Sequence, residues 1–445
     1  MWLCTEYNSP VNIQNVHDSR LTQKEINLIS SSSGYNSIYD DFVVLLKRSR
    51  KSDITNKELF GLEMEIANKI IKAEKSITYF KKTADRKSQN KEWYSREVYK
   101  AQRMAYKQIM DGIAWRFLNF DRASLRQISE HHQTGYLSPG FIQEAVKAEY
   151  IVNDSDLFVI LNDLTNFLRF GDLTIVSKDK IYFDEVKTKG QAKKDQKDQL
   201  NFLLDSLNKK RFSIGNDKAD FLLVPGKPQN FLPAVEMVIK KAKSNKVGIS
   251  SDRLSPYLWV SCLYTQKILS VEKDFEKIKP LLPKNPFSAE EQGGFIPTSN
   301  LFMFSEFTPN FAPYTIFPFQ EELIADLVFG KCILTSHISQ KHLSKSIIGK
   351  GWNVVFPTRE EIASAYDSII KPEDIKRVVW DPQYHIKFTN GNFMTSLPRE
   401  VVFRINSEFL SVKSIISSIE HAKNSYGKLS KNFVTGFKEE KEMWK

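Results

Sequence analysis

Asp172, Glu185 and Lys187 are the residues of this chain whose types and spacing could do chemistry. Asp172 opens the short run Leu173-Thr174-Ile175-Val176, and the polar tetrapeptide Ser177-Lys178-Asp179-Lys180 separates it from Ile181-Tyr182-Phe183-Asp184-Glu185-Val186-Lys187. Flanks rich in β-branched and aromatic residues around a polar turn predict a hairpin. Side chains two apart on a strand share a face, so Glu185 and Lys187 project together while Val186 points to the opposite side. A hairpin of this length can bring Asp172 beside Glu185. Two carboxylates and an ammonium then converge at the edge of a small sheet, and Gly171 lets the backbone bend and approach closely there.

That grouping suits phosphodiester hydrolysis. Mg²⁺ prefers oxygen ligands, typically one or two carboxylates with water and substrate phosphate in the remaining positions. The metal polarises the phosphoryl group and makes a bound water more acidic. A lysine beside it can orient that water and stabilise charge developing on phosphorus.

The elements that must position these residues read as follows. A helical signal runs through Ser138-Pro139-Gly140 to about Val152, with Ser138 as N-cap and Pro139 at the first helical position. Leu157-Phe158-Val159-Ile160-Leu161 suits a strand or a buried helical turn, and periodicity leaves both open. After the hairpin come a helix from about Asp195 to Leu207 and a strand from Ala219 to Val224 that ends at Pro225-Gly226. Upstream, Leu59, Leu62, Ile66, Ile70, Ile77 and Phe80 recur at helical spacing between about Asn56 and Asn90. A second run from Trp93 to Phe120 completes a helical hairpin. Its many lysines and arginines, Lys81 to Lys107 among them, read as a solvated face in preference to a basic arm on phosphates, because acidic residues are interspersed. Residues 1–50 read as polar and mixed, with a loop at Ser30–Gly34. Downstream, 230–245 and 264–279 have helical character, and Pro280 to Pro318 reads as a long loop or domain junction. A helix is expected from Phe317 to Phe329, with strands at 331–335 and 352–356. The lysine-rich tail from Asn424 to Lys445 is expected to be mobile.

Asp172, twelve intervening residues, then Glu185-Val186-Lys187 resembles the PD-(D/E)XK nuclease superfamily, the restriction-endonuclease-like fold. The resemblance spans roughly residues 138–226, about a fifth of the chain. It implies an αβββαβ core in which Asp172 and Glu185 bind Mg²⁺ or Mn²⁺, the carbonyl of Val186 completes the metal shell, and Lys187 serves in catalysis. It also implies a glutamine on the following helix, Gln199 or Gln196, and an acidic residue upstream, for which Glu144, Glu149 and Asp163 are candidates. Gly171 stands where many members have proline.

The chain has 445 residues and a formal charge of +11, with 64 Lys+Arg against 53 Asp+Glu. That length predicts two or three domains, and the basic surplus favours polyanionic partners. Cys4, Cys262 and Cys332 are far apart in sequence and match neither a disulfide framework nor a zinc pattern, which fits a reducing compartment. The N-terminus lacks the basic and apolar regions of a signal peptide. No apolar window approaches a membrane span. Gly349-Lys350-Gly351 lacks the P-loop frame, and His337 and His342 lack the glutamate of a zinc helix. The aromatic run Phe302 to Phe319 could stack bases, though core packing is preferred.

The expectation is a mixed α/β cytoplasmic protein: a helical N-terminal region (1–137), a restriction-endonuclease-like core with following helices (138–285) and a C-terminal α/β region (286–445). It would be a Mg²⁺-dependent endonuclease or exonuclease acting on nucleic acid, DNA before RNA. A homodimer would suit double-strand cutting, any NTPase would be a separate chain, and no membrane is involved. By analogy with the superfamily, such a nuclease suits antiviral defence or mobile-element biology. The rival expectation is a non-catalytic nucleic-acid-binding or assembly protein that retains this fold.

Overall fold

Three helices with apolar stripes open the described part of the chain. The computed structural model describes residues 33–85, 87, 91–120, 125, 136–168, 171–177, 180–186, 211–214, 217–264, 295–296, 312–355, 387–391, 393–396, 404–405, 407–425 and 433–444. Helix α1 (Ser33–Ser49) lies in a stretch that composition reads as polar and mixed. Tyr35, Ile38, Phe42, Leu45 and Leu46 recur at its helical period and are all buried. A narrow stripe is diluted in an average over fifty residues. Helix α2 (Asn56–Phe80) starts at a reciprocal capping box between Thr55 and Glu58, which satisfies two otherwise orphaned N–H donors. Helix α3 (Lys91–Phe117) packs along it as the second arm of the expected hairpin. Leu59, Leu62, Ile66, Ile70 and Ile77 meet Trp93, Ala101, Ala105, Ile109 and Ile113 in the buried seam. Full burial of each Leu or Ile contributes about 1.5–3 kcal/mol.

Helix α4 (Phe141–Asp154) begins later than the Ser-Pro-Gly signal predicts. The Phe141 N–H donates to the Ser138 carbonyl, and the Ser138 hydroxyl turns to Glu144 instead of capping. The ambiguous apolar run becomes strand β1 (Phe158–Leu161), followed by a short 3-10 turn, Asn162–Leu164. Strands β2 (Leu173–Val176) and β3 (Ile181–Asp184) form the predicted hairpin, closed by the Ser177 N–H on the Lys180 carbonyl at 2.9 Å. The three strands make an antiparallel meander in the order β1-β2-β3, with Phe158 opposite Val176 and Leu173 opposite Asp184. The regular ladder stops at Asp184, short of the expected Lys187.

The helix expected at Asp195–Leu207 lies outside the described residues. Strands β4 (Arg211–Ile214) and β5 (Asp217–Val224) follow as a hairpin. Strand β5 does not extend the meander. It pairs in parallel with β13 (Phe433–Phe437) from the C-terminal tail, giving a separate sheet in the order β13-β5-β4. Helix, strand, strand, strand therefore occur as expected, while the final strand of the inferred core sits in another sheet.

Helix α5 (Leu232–Ser244) covers a four-stranded sheet in the order β6-β7-β9-β8. Its strands are β6 (Ile249–Ser255), β7 (Leu258–Tyr264), β8 (Phe295–Ile296) and β9 (Cys332–Ile338). The expected helix at 317–329 is the shorter α6 (Glu321–Val328), and α7 (Gln340–Ile348) follows β9. Strands β10 (Asn353–Val355), β11 (Lys387–Asn390) and β12 (Phe393–Ser396) form a small antiparallel sheet, and α8 (Val412–Asn424) precedes the tail. In the described part of the 302–319 aromatic run, Tyr314, Phe317 and Phe319 are buried, so core packing holds there. Phe317 stacks on Trp444 at 5.5 Å. That ring and the β5–β13 pairing anchor a tail that composition reads as mobile. Cys262 and Cys332, seventy residues apart in sequence, meet across β7 and β9 as free, buried thiols joined by a hydrogen bond. Buried side chains from Tyr35 to Trp444 form one continuous cluster.

Candidate active site

Asp172 sits where β2 begins, and the residues around it explain why β3 ends. Gly171 has φ +67°, and a Cβ at this position would lie 2.7 Å from the Asp184 carbonyl oxygen. Only glycine fits both requirements. The Asp172 N–H donates to that carbonyl at 2.8 Å, and its own carbonyl accepts the Asn162 N–H at 3.0 Å. Its Oδ2 accepts the Val186 N–H at 2.5 Å. The carboxylate thus takes a donor that a continuing ladder would give to a backbone carbonyl. Val186 packs its side chain against the core, as the alternation predicts.

Sequence left the upstream acid open among three residues, and tertiary structure separates them. Glu144 is 2% exposed and Asp163 8% exposed, and both interact electrostatically with Asp172. Glu149 faces solvent on the other side of α4. Ser138 joins the two buried acids: its hydroxyl donates to Glu144 Oε1 at 2.6 Å and its N–H to Asp163 Oδ2 at 2.6 Å. Glu144 Oε2 is buried with no hydrogen-bond partner among the described residues.

Loss of water pushes the Glu144 carboxyl up to about 7, with the charges of Asp163 and Asp172 adding to it and the Ser138 hydroxyl opposing. Asp172 is also raised, first by burial. The Val186 N–H opposes that shift, while the charges of Glu185, Asp163 and Asp184 reinforce it. Glu63, wholly buried on α2, is held well above the carboxylate range by burial alone, opposed only by the Leu161 N–H. Carboxylates that share a site disfavour one another's ionised forms, and a cation between them reverses that preference.

Several supporting groups escaped sequence reasoning. Asn162 ties the strand ends together: its side-chain N–H donates to the Gly171 carbonyl at 3.1 Å, and its Oδ1 accepts the Thr174 hydroxyl at 2.7 Å. Asp111 of α3 holds the next turn through the backbone N–H and side-chain amide of Asn166, each at 2.7 Å. Lys107, read as part of a solvated basic face, is 1% exposed and donates to the Asp163 carbonyl at 2.7 Å. Its place on the stripe with Met110 and Ala114, three and seven residues on, is a sequence signal that could have flagged it. Lys147 of α4 pairs with Asp184 at 2.6 Å. For Asn162 and Asp111 no local signal existed.

Lys187, Gln199 and Gln196 lie outside the described residues. His337 is half-buried and lowered to about 4 by loss of water, and the His342 Nδ1 meets the Ser339 hydroxyl at 2.9 Å. Among the described residues, no three His, Cys, Asp or Glu side chains form a ready-made cation cage. None of the described helices is long and apolar enough to cross a membrane. Comparison with protein-family models, curated proteins and solved structures returned no match.

Proposed function

We propose that this chain is a metal-dependent nuclease of the PD-(D/E)XK type, with its active site at the β2–β3 end of the meander. The observation that carries the reading is the gathering of Glu144, Asp163 and Glu185 around the half-buried Asp172, with one Glu144 oxygen buried and unpartnered. A divalent cation would relieve their mutual repulsion and the desolvation that raises Glu144 and Asp172. The lack of a three-carboxylate cage among the described residues is compatible with Mg²⁺, which is commonly held by one or two carboxylates, water and substrate phosphate.

Asp172 and Glu185 would hold Mg²⁺ or Mn²⁺, and Glu144 is the upstream acid. The ion supplies polarisation of the phosphoryl group and an acidified water. Asp163 and Ser138 position Glu144, and Asn162 fixes the Asp172 backbone. Lys187, the Val186 carbonyl and Gln199 keep the roles that the resemblance implies. In this reading DNA is the favoured substrate, a homodimer would supply two cuts, and defence or mobile-element biology is the setting.

One observation favours the rival reading, a non-catalytic nucleic-acid-binding or assembly protein. The Val186 N–H already occupies Asp172 Oδ2 at 2.5 Å. A cleavage assay on plasmid and short duplex with Mg²⁺ or Mn²⁺ separates the two. The nuclease reading requires metal-dependent cleavage by wild type that Glu185→Ala and Lys187→Ala both abolish. Cleavage unchanged in both variants, or none by wild type on any DNA or RNA, would sink it.

A further inference from the structure

We propose that the cleft between the C-terminal half of α2 and the 136–142 segment binds an unpaired nucleic-acid strand. Bases would stack on Tyr79 and Tyr136, and the backbone would lead to the carboxylates around Asp172. The second half of this statement rests on the nuclease reading; the stacking half does not.

The cleft measures about 1230 Å³, beyond the ~300–1,000 Å³ of ordinary small-molecule pockets. A polymer segment suits it better than a metabolite. Its walls carry free aromatic faces with rigid backing. Tyr79 is 75% exposed and stands edge-on to Phe80 at 5.1 Å, and Phe80 is itself stacked on Tyr99 with 13° between the planes. Tyr136 is 41% exposed, and the Arg103 guanidinium covers its ring at 4.6 Å. The Nε and Nη1 groups of Arg103 make no hydrogen bond among the described residues. Rings held in this way are stacking platforms that lose little freedom when a base arrives.

Charge and position agree with that occupant. Lys75 and Lys82 line the cleft, and Lys81 and Lys87 lie in the adjoining connection between α2 and α3. Of the two lining carboxylates, Glu74 is engaged by the Leu137 N–H at 3.1 Å. Glu92 is the other. Ser138, the residue whose N–H and hydroxyl hold Asp163 and Glu144, also lines the cleft. A strand lying on the two tyrosines therefore arrives at the acidic site. Paired bases within a duplex already stack on their neighbours, so exposed rings offer their faces to unpaired ones.

The test is fluorescence anisotropy with the full chain in EDTA, where no cleavage can occur. Short labelled DNA and RNA oligonucleotides are compared as single strands and as blunt duplexes. Tyr79→Ala and Tyr136→Ala are each expected to weaken single-strand binding about tenfold, with Tyr79→Phe within about twofold of wild type. Duplex affinity should not change. Thermal melts check folding, and the exposure of Tyr79 keeps its variant informative should Tyr136→Ala unfold. Equal affinity of wild type and Tyr79→Ala for single strands, or a wild-type preference for the blunt duplex, would overturn the proposal and leave the rings to an apolar protein partner. Ring-dependent binding without metal-dependent cleavage would keep the cleft and sink the nuclease. Cleavage that ignores the tyrosine substitutions would do the reverse.

Discussion

Asp326 and Glu144 are helix carboxylates buried to almost the same degree, at 3% and 2% exposure, yet they are furnished in opposite ways. Asp326 of α6 accepts the Tyr39 hydroxyl at 2.8 Å, the Tyr264 hydroxyl at 2.8 Å and the Lys243 ammonium at 2.7 Å. Its donors come from three separate elements, so the carboxylate fastens α1, α5, α6 and β7 together. Glu144 has one hydroxyl donor, an orphan oxygen and acidic neighbours. A buried carboxylate surrounded by donors is a structural joint. One left short of donors costs stability unless a cation or a proton completes it. The difference, not burial itself, singles out the meander end as the place where chemistry would occur.

The comparison breaks most visibly in activity. Removal of one transition-state-stabilising group typically costs about 10²–10³-fold in rate, so Glu185→Ala and Lys187→Ala should lower metal-dependent cleavage at least that far while the urea midpoint stays near wild type. Asp326→Ala should leave cleavage chemistry intact and act on stability. It strands the buried Tyr264 hydroxyl, while the half-buried Tyr39 hydroxyl keeps the Glu322 carbonyl and the exposed Lys243 ammonium turns to water, at a cost of roughly 2 kcal/mol in urea unfolding. A midpoint unchanged by that substitution would remove the contrast.

Glu144→Gln tests the starved site directly. Burial moves the folded-state value from 4.5 to about 7, so the folded chain keeps a proton that the unfolded chain releases. The stabilising contribution is complete below about 4.5 and is lost as pH rises through about 7. The Gln variant should therefore be the more stable one above that pH, on the order of 1–2 kcal/mol once partial access of water is allowed for. Urea midpoints across the pH range measure it, and a Gln variant weaker than wild type at pH 8 would count against an uncompensated carboxylate. The smallest effect concerns the ion. Saturating Mg²⁺ should raise the wild-type melting temperature by about 2–4 °C and that of Asp172→Asn by less.

Legibility followed the range of the interactions. The β2–β3 hairpin and its turn, the α2–α3 hairpin and the glycine at 171 were readable, because each depends on neighbours a few residues away. Helix α1 was missed because its stripe is short, and the tail was misread because Trp444 and β13 are held by Phe317 and β5, which are remote in sequence. The early end of β3 was also hidden. It arises when the Asp172 side chain captures the Val186 N–H, a competition between side chain and backbone that periodicity does not encode.

By itself the amino-acid order determined the β2–β3 hairpin, the sharp bend at Gly171, and the three acids competing for the upstream position. Alternation and turn chemistry are local properties, so one chain suffices to read them. Tertiary structure alone decided that Glu144 and Asp163 are buried and act electrostatically on Asp172 while Glu149 faces water, that Lys107 is buried on the Asp163 carbonyl, and that β5 leaves the meander for the tail. Those outcomes depend on which water-excluded surface each side chain meets, and burial is a property of the packed chain as a whole.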